Sequence, residues 1–103
     1  MVEHTFAQLT APGVTAAVKV DAVYNHVFQV TVASIDTSVD VNIEGSIDGT
    51  NYFSFEATDI QYTADGTYLL SAKNMLVKYV RFRFVSELTL TAATIDVIYL
   101  GNA

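Results

Sequence analysis

The sequence predicts an all-β protein, an antiparallel β-sandwich of jelly-roll type with about eight strands and no significant helix. Three observations carry this expectation. Val39, Val41, Ile43, Gly45 and Ile47 alternate with Asp40, Asn42, Glu44, Ser46 and Asp48, the period-two pattern of a strand with one apolar face. No segment shows a sustained 3.6-residue period. Short apolar runs are separated by turn-forming residues, and the six Tyr, six Phe and many β-branched residues favour strands packed as a sandwich or barrel.

Residues 1–13 read as an N-terminal arm or an edge strand. Phe6 and Leu9 are their main apolar residues and do not share a parity. Thr10-Ala11-Pro12-Gly13 is a loop holding the only proline, a natural hinge for an arm that reaches a neighbouring subunit. Residues 14–103 then form the β-sandwich domain. Val14 to Val20 reads as a strand with Val14, Ala16, Val18 and Val20 on one face. Asp21-Ala22 breaks it. Val23 to Ala33 is a long strand, with Tyr24, His26, Phe28, Val30 and Val32 inward and Asn25, Gln29 and Thr31 outward.

Ser34 to Ser38 is a polar turn. The hairpin from Val39 to Phe55 follows, apolar on one face and wet on the other. It turns at Asp48-Gly49, where Asp caps its own turn and Gly takes positive φ without strain. Ala57 to Tyr62 is a short strand. Asp65-Gly66 is a second turn, Tyr68-Leu69-Leu70 leads out of it, and Ser71 to Asn74 is a loop. Met75 to Val85 is the second long strand, with Leu76, Val80, Phe82 and Phe84 on one side and Val77, Tyr79, Arg81, Arg83 and Val85 on the other. Ser86-Glu87 is a turn. Leu88 to Leu100 closes the fold, with Ala93, Ile95, Val97 and Tyr99 inward, and Gly101-Asn102-Ala103 is a tail.

At 103 residues the chain is one domain, able to bury roughly two-thirds of its unfolded surface. Charged residues are only 16% against 51% hydrophobic. That is more apolar surface than one core needs, a sign of an oligomer or a docked subunit. The net charge of −6 argues against nucleic-acid partners and anionic membranes. With no cysteine there is no disulfide, thiol nucleophile or thiolate metal site. The N-terminus lacks the pattern of a secretory signal, and no apolar run reaches a membrane span.

No constellation of residues points to catalysis, and no enzyme activity, cofactor or metal is expected. His4 and His26 have no local partner at ligand spacing, and His26 sits on an apolar strand face as a hydrogen-bonded, semi-buried residue. Asp36, Asp40, Asp48, Asp59 and Asp65 gather in turns, but no calcium-loop pattern is present. The basic residues are asymmetric: Lys73, Lys78, Arg81 and Arg83 are four of the five cations. Arg81 and Arg83 share a strand face with Tyr79, and Arg and Tyr are favoured at interfaces. Tyr79, Arg81, Arg83, Lys78 and Lys73, with Phe6 from the arm, are therefore the candidate partner-binding residues. The competing structural reading of the strip is a solvated face with cross-strand ion pairs to Asp or Glu.

Val41-Asn42-Ile43-Glu44-Gly45-Ser46-Ile47-Asp48-Gly49-Thr50-Asn51-Tyr52, followed later by Lys78-Tyr79-Val80-Arg81-Phe82-Arg83-Phe84, resembles the paired motifs of discoidin-like (galactose-binding-like) jelly-roll sandwiches. There a strand ends in Ser-x-Asp-Gly-x-x-Trp and a later one reads Tyr-Val-Arg; here Tyr52 replaces the tryptophan. Many members bind glycans, and others are structural modules of phage particles. The chain is short and lacks cysteine and tryptophan, and so looks most like phage capsid decoration, or cement, proteins. That resemblance implies a non-enzymatic virion subunit on the capsid surface, assembled in the host cytoplasm. Its partners would be the major capsid protein and copies of itself in a homotrimer or dimer. A carbohydrate-binding module, with Tyr52 or Tyr62 stacking on sugar rings, and a phage tail or fibre component are the alternatives.

Overall fold

Ten strands build two antiparallel sheets that face one another as a sandwich, in a computed structural model describing residues 1–88 and 92–102, the side chains of Asp21 and Ala22 excepted. In chain order the strands are β1 (Val2–Thr5), β2 (Gly13–Val14), β3 (Val18–Val23), β4 (Asn25–Ala33), β5 (Ser38–Ser46), β6 (Phe53–Ser54), β7 (Ile60–Tyr62), β8 (Gly66–Ala72), β9 (Val77–Leu88) and β10 (Thr94–Asn102). Sheet A has the order β1-β10-β4-β8. In sheet B, β9 and β5 pair at the centre; β2 and β3 share the outer edge of β9, and β6 and β7 share that of β5. Residues 2–5 form a strand rather than an arm, and the single strand expected from Val14 to Val20 is replaced by β2 and β3, so the expected eight become ten.

The core lies between the sheets. Phe28, Val30 and Val32 of β4 and Ile95, Val97 and Tyr99 of β10 meet Val39, Val41 and Ile43 of β5 and Val80, Phe82 and Phe84 of β9. All these residues follow the period-two alternation of their strands. Gly45 falls on the same inward parity as Ile43. The Phe55 ring occupies its side-chain space, 2.6 Å from where a Cβ would stand.

Several boundaries differ from the sequence reading. Between β2 and β3, Thr15 turns inward and both donates its N–H to Phe82 O and accepts Phe82 N–H on Oγ1, each at 3.0 Å. Val14 and Ala16 are consequently exposed, so one strand from Val14 to Val20 does not form. The pairing of β3 with β9 is irregular between Lys19 and Val23, yet the strand persists to Val23. The break falls at Tyr24, where the chain passes from sheet B to sheet A, and Tyr24 is exposed rather than inward.

β8 takes in Ser71 and Ala72, which read as loop. β9 continues through Ser86-Glu87 to Leu88, because Ser38, Val39 and Asp40 of β5 pair with those residues. Leu88 therefore belongs to β9, and residues 89–91 of the expected closing strand lie outside the described residues. That strand begins at Thr94 and includes Gly101 and Asn102, which pair with His26 and Asn25; Ala103 of the expected tail is not described. Leu76 precedes β9 and is exposed, whereas Val77 is buried. Asp65-Gly66 is a crossing from sheet B to sheet A rather than a hairpin, since β7 pairs with β5 and β8 with β4.

The largest departure concerns the outer face of β5, expected to be wet. Asn42, Glu44 and Ser46 are all buried. Residues 47–59 fold back over them. Asn42 Nδ2 donates to Glu56 O at 3.1 Å and to Asp59 Oδ1 at 2.9 Å and Ser46 bonds to Asp48 and Gly49, so this segment satisfies both side chains, while Glu44 is met by Arg81 of β9. Past the end of β5, Ile47 and Phe53 are left exposed, and Phe55 reaches the core.

Candidate interaction surfaces

The candidate strip on β9 is assembled by the turn that ends β5. Asp48 Oδ1 accepts the N–H groups of Thr50 and Asn51, each at 2.8 Å, and Oδ2 accepts from Asn51 Nδ2 at 2.8 Å. Ser46 Oγ donates to Asp48 Oδ1 at 3.0 Å and accepts Gly49 N–H at 2.9 Å. The Asn51 and Thr50 backbone N–H groups, then the Asn51 and Ser46 side chains, hold the Asp48 carboxyl well below the usual carboxylate range. Gly49 has φ of +80°, and the Tyr79 ring lies 3.1 Å from the position of an added Cβ. The Ser-x-Asp-Gly segment is thus a self-capped turn with Tyr79 packed on it.

This turn places Tyr52 over β9. The Arg81 guanidinium carbon lies 3.7 Å from the centre of the Tyr52 ring, a cation–π contact. Arg81 also faces Glu44 across the β5–β9 pair and donates from Nε to Glu44 Oε1 at 2.7 Å. Arg83 Nη1 stands 3.6 Å from Glu44 Oε2. Arg81 and Arg83 do come together, but around a buried glutamate of the same chain, while Tyr79 packs on the turn at Gly49. The cross-strand ion pair is realised, and Arg81 is an internal element of the sheet. Arg83 keeps an exposed guanidinium. Lys73 and Lys78 are exposed at the ends of β8 and β9, apart from Glu44.

Phe6, a contact candidate in the sequence, is a core residue at 4% exposure. It stacks on Phe28 at 6.4 Å, and its N–H bonds to Val97 O at 3.0 Å. β1 before it is the edge strand of sheet A, paired to β10 from Val2↔Gly101 to Thr5↔Ile98. Its burial removes it as a surface contact.

His26 is fully buried. Its Nε2 lies 2.8 Å from Met75 O, and its Nδ1 lies 2.6 Å from Tyr99 Oη. A carbonyl only accepts, so Nε2 carries the proton and Nδ1 accepts from the tyrosine. Burial pushes the His26 pKa down against the opposing Met75 bond, and burial pushes the Tyr99 hydroxyl upward. This neutral pair ties the loop between β8 and β9 to sheet A. Among the described residues no cluster of three or more His, Cys, Asp or Glu could hold a metal.

A second surface was not singled out in the sequence. The outer face of sheet A carries Val27 of β4, Leu69 of β8, and Ile98 and Leu100 of β10 around a shallow groove rimmed by Met1, Glu3 and Gln29. Leu69, Ile98 and Leu100 are 69%, 41% and 40% exposed. The registers Leu100↔Val27, Ile98↔Gln29 and Gln29↔Leu69 set them side by side. None of the four strands of sheet A contains Lys or Arg. The signal was present: Val27, Leu69, Ile98 and Leu100 are apolar residues on the polar parity of their strands.

The glycan candidates are engaged. Tyr62 is buried and stacks on Tyr68 at 4.1 Å between ring centres, its hydroxyl pushed up to about 12, first by burial and then by Tyr68. Tyr52 has one ring face covered by Arg81.

No family model matches the chain, and no curated protein matches its sequence. Among solved structures the chain is similar to the SPBc2 prophage-derived protein YomS, with a TM-score of 0.60 and 15% identity, over 95% of this chain and 90% of that one. At that identity the likeness shows the fold: both chains are β-sandwiches of nearly the same extent.

Proposed function

We propose that the chain is a non-enzymatic structural subunit of a bacteriophage virion, a capsid decoration or cement protein. It self-associates and seats on the lattice of the major capsid protein at the capsid surface, after assembly in the host cytoplasm. The observation that carries this reading is the exposed apolar face of sheet A. A contiguous apolar patch on a small domain marks an interaction surface. Burying it at ~25 cal/mol per Å², repeated at every lattice position, would reinforce the shell without chemistry. The overall fold likeness to a prophage-derived protein supports the same direction. The jelly-roll assignment is supported by strand order. With β2 joined to β3 and β6 to β7, every connection crosses between the sheets except that from β5 to β6, the wrapped topology of two Greek keys.

On the opposite sheet, Arg83 supplies exposed positive charge for an acidic patch on a partner, with Lys78 at the end of the same strand. Removing residues 1–13 would take Phe6 and β1 out of the fold, so surface substitutions are the cleaner probe. The test is mass-spectrometric counting of the chain in purified particles of the phage that carries it. A fixed stoichiometry to the major capsid protein is expected, falling sharply for Ile98→Lys with Leu100→Lys. Absence from particles refutes the reading, and association with isolated tails transfers it to a tail or fibre part.

A further inference from the structure

We propose that the free edge of sheet A, strand β8, pairs with β8 of a second copy, antiparallel and centred on Leu69. The proposal deepens the reading above by naming how copies meet, and takes its biological setting from it. Edge strands present unpaired N–H and C=O groups, and proteins blunt them with charge, proline, bulges or brevity. Three of the four edges here are blunted in this way. β1 has only four residues and carries Glu3 and His4. The β2–β3 edge is split, holds Lys19 and is irregular between Lys19 and Val23. The β6–β7 edge consists of pieces of two and three residues.

β8 is different. It runs for seven residues, Gly66 to Ala72, with no charged residue and no proline. Its register with β4 is regular throughout, and β4 is its only paired strand among the described residues. The flanks of β8 point to a copy of itself. Asp65 precedes it and Lys73 follows it, and both are exposed. A two-fold axis at Leu69 sets Leu70 opposite Tyr68 of the second copy, Ser71 opposite Thr67, and Ala72 opposite Gly66. It also sets Lys73 opposite Asp65, twice by symmetry. Lys73 has no ion-pair partner among the described residues; Asp65 is exposed and accepts Ile35 N–H on Oδ1 at 2.8 Å, which leaves Oδ2 for the second copy's Lys73. The pairing joins two four-stranded sheets into one continuous sheet. Leu69 meets its own copy at the centre, and the two apolar faces become a single surface.

The absence of native cysteine makes the test specific. Opposing Cβ atoms in an antiparallel pair are about 4.5–5.5 Å apart, within small adjustment of disulfide geometry. The wild-type mass is measured by light scattering with size exclusion, and Leu69→Cys, Thr67→Cys and Ile98→Cys chains are oxidised mildly. A dimer is expected, with Leu69→Cys linking nearly completely while Thr67→Cys, displaced from its own copy along the strand, does not. Lys73→Glu, a surface change that leaves the core intact, should weaken the dimer about tenfold by placing like charges opposite at both ends. A wild-type chain that stays monomeric up to its solubility limit overturns the proposal. So does a dimer that links through Ile98→Cys and not Leu69→Cys, which would be face-to-face association. A chain present in particles but unlinked at Leu69→Cys would leave the virion reading standing and the edge pairing refuted. A linked dimer absent from particles would do the reverse.

Discussion

Replacing Glu44 with Gln tests whether the arginine strip belongs to the fold or to a docking surface. The Glu44 side chain is 6% exposed and Arg81 25%. The substitution keeps shape and removes the charge that accepts the 2.7 Å bond from Arg81 Nε. Breaking a buried pair by neutralising one partner costs about 3–5 kcal/mol. Arg81 remains partly hydrated and keeps the Tyr52 ring beneath it, so a loss of about 2 kcal/mol is expected. For a domain of this size that corresponds to a fall in Tm of roughly 10 °C. Arg83, at 3.6 Å from Glu44 and 48% exposed, resembles a surface pair, and Arg83→Gln should cost under about 0.5 kcal/mol. Thermal and urea unfolding of both variants, with Arg81→Met and its double mutant with Glu44→Gln, isolates the coupling. The Glu44 effect should survive high salt, because burial shields the pair from screening. A Glu44→Gln loss below about 0.5 kcal/mol, or equal losses for Arg81 and Arg83, would refute the internal assignment.

Three further outcomes follow from the packing. His26 is held neutral by burial, its pKa below the ordinary 6.5, so the unfolded chain binds the extra proton. Stability should be complete above about pH 6.5 and fall with acidification, by up to about 1.4 kcal/mol per pH unit, until the folded value is passed; His26→Leu should remove that slope in urea titrations at several pH values. Gly101→Ala would place a Cβ 2.2 Å from the Tyr99 hydroxyl and 2.9 Å from Val23 Cγ1, both fixed in the core, and should destabilise by about 1–3 kcal/mol in thermal unfolding. Phe6→Ala should cost about 3–5 kcal/mol as a core deletion and expose β1 to faster amide exchange; a change near zero would restore Phe6 as a surface residue.

The class of fold was legible because strand periodicity is a local property. The alternation in Val39–Ile47, Phe28–Val32, Val80–Phe84 and Ile95–Tyr99 needs only the two-residue repeat of an extended chain. It identified the centre of the core and the inward His26, but missed Phe6, Val23 and Val77, and put the exposed Val14, Tyr24, Ile47 and Leu76 on apolar faces. Strand ends were less legible, because they depend on partners far away in sequence. β9 runs past Ser86-Glu87 because β5 offers it a ladder. Thr15 breaks a strand because its hydroxyl substitutes for a backbone partner of Phe82.

The candidate site was legible only in part, for the same reason. Sequence proximity grouped Lys73, Lys78, Arg81 and Arg83, but charge pairing is decided across strands. It took the β5–β9 register to set Glu44 beside Arg81, and the Asp48 turn to lay Tyr52 on top. Burial of Asn42, Glu44 and Ser46 under residues 47–59 also follows from that folding back, which no periodicity encodes. The apolar residues of sheet A's outer face were visible one by one as breaks in alternation. Only the pairing of β8, β4 and β10 makes them one surface. Local stereochemistry, written in the chain, set where the long strands run and which way their central residues face. Which polar face is covered, which cation is held inside, and which apolar face and edge are left open follow from contacts between residues distant along the chain.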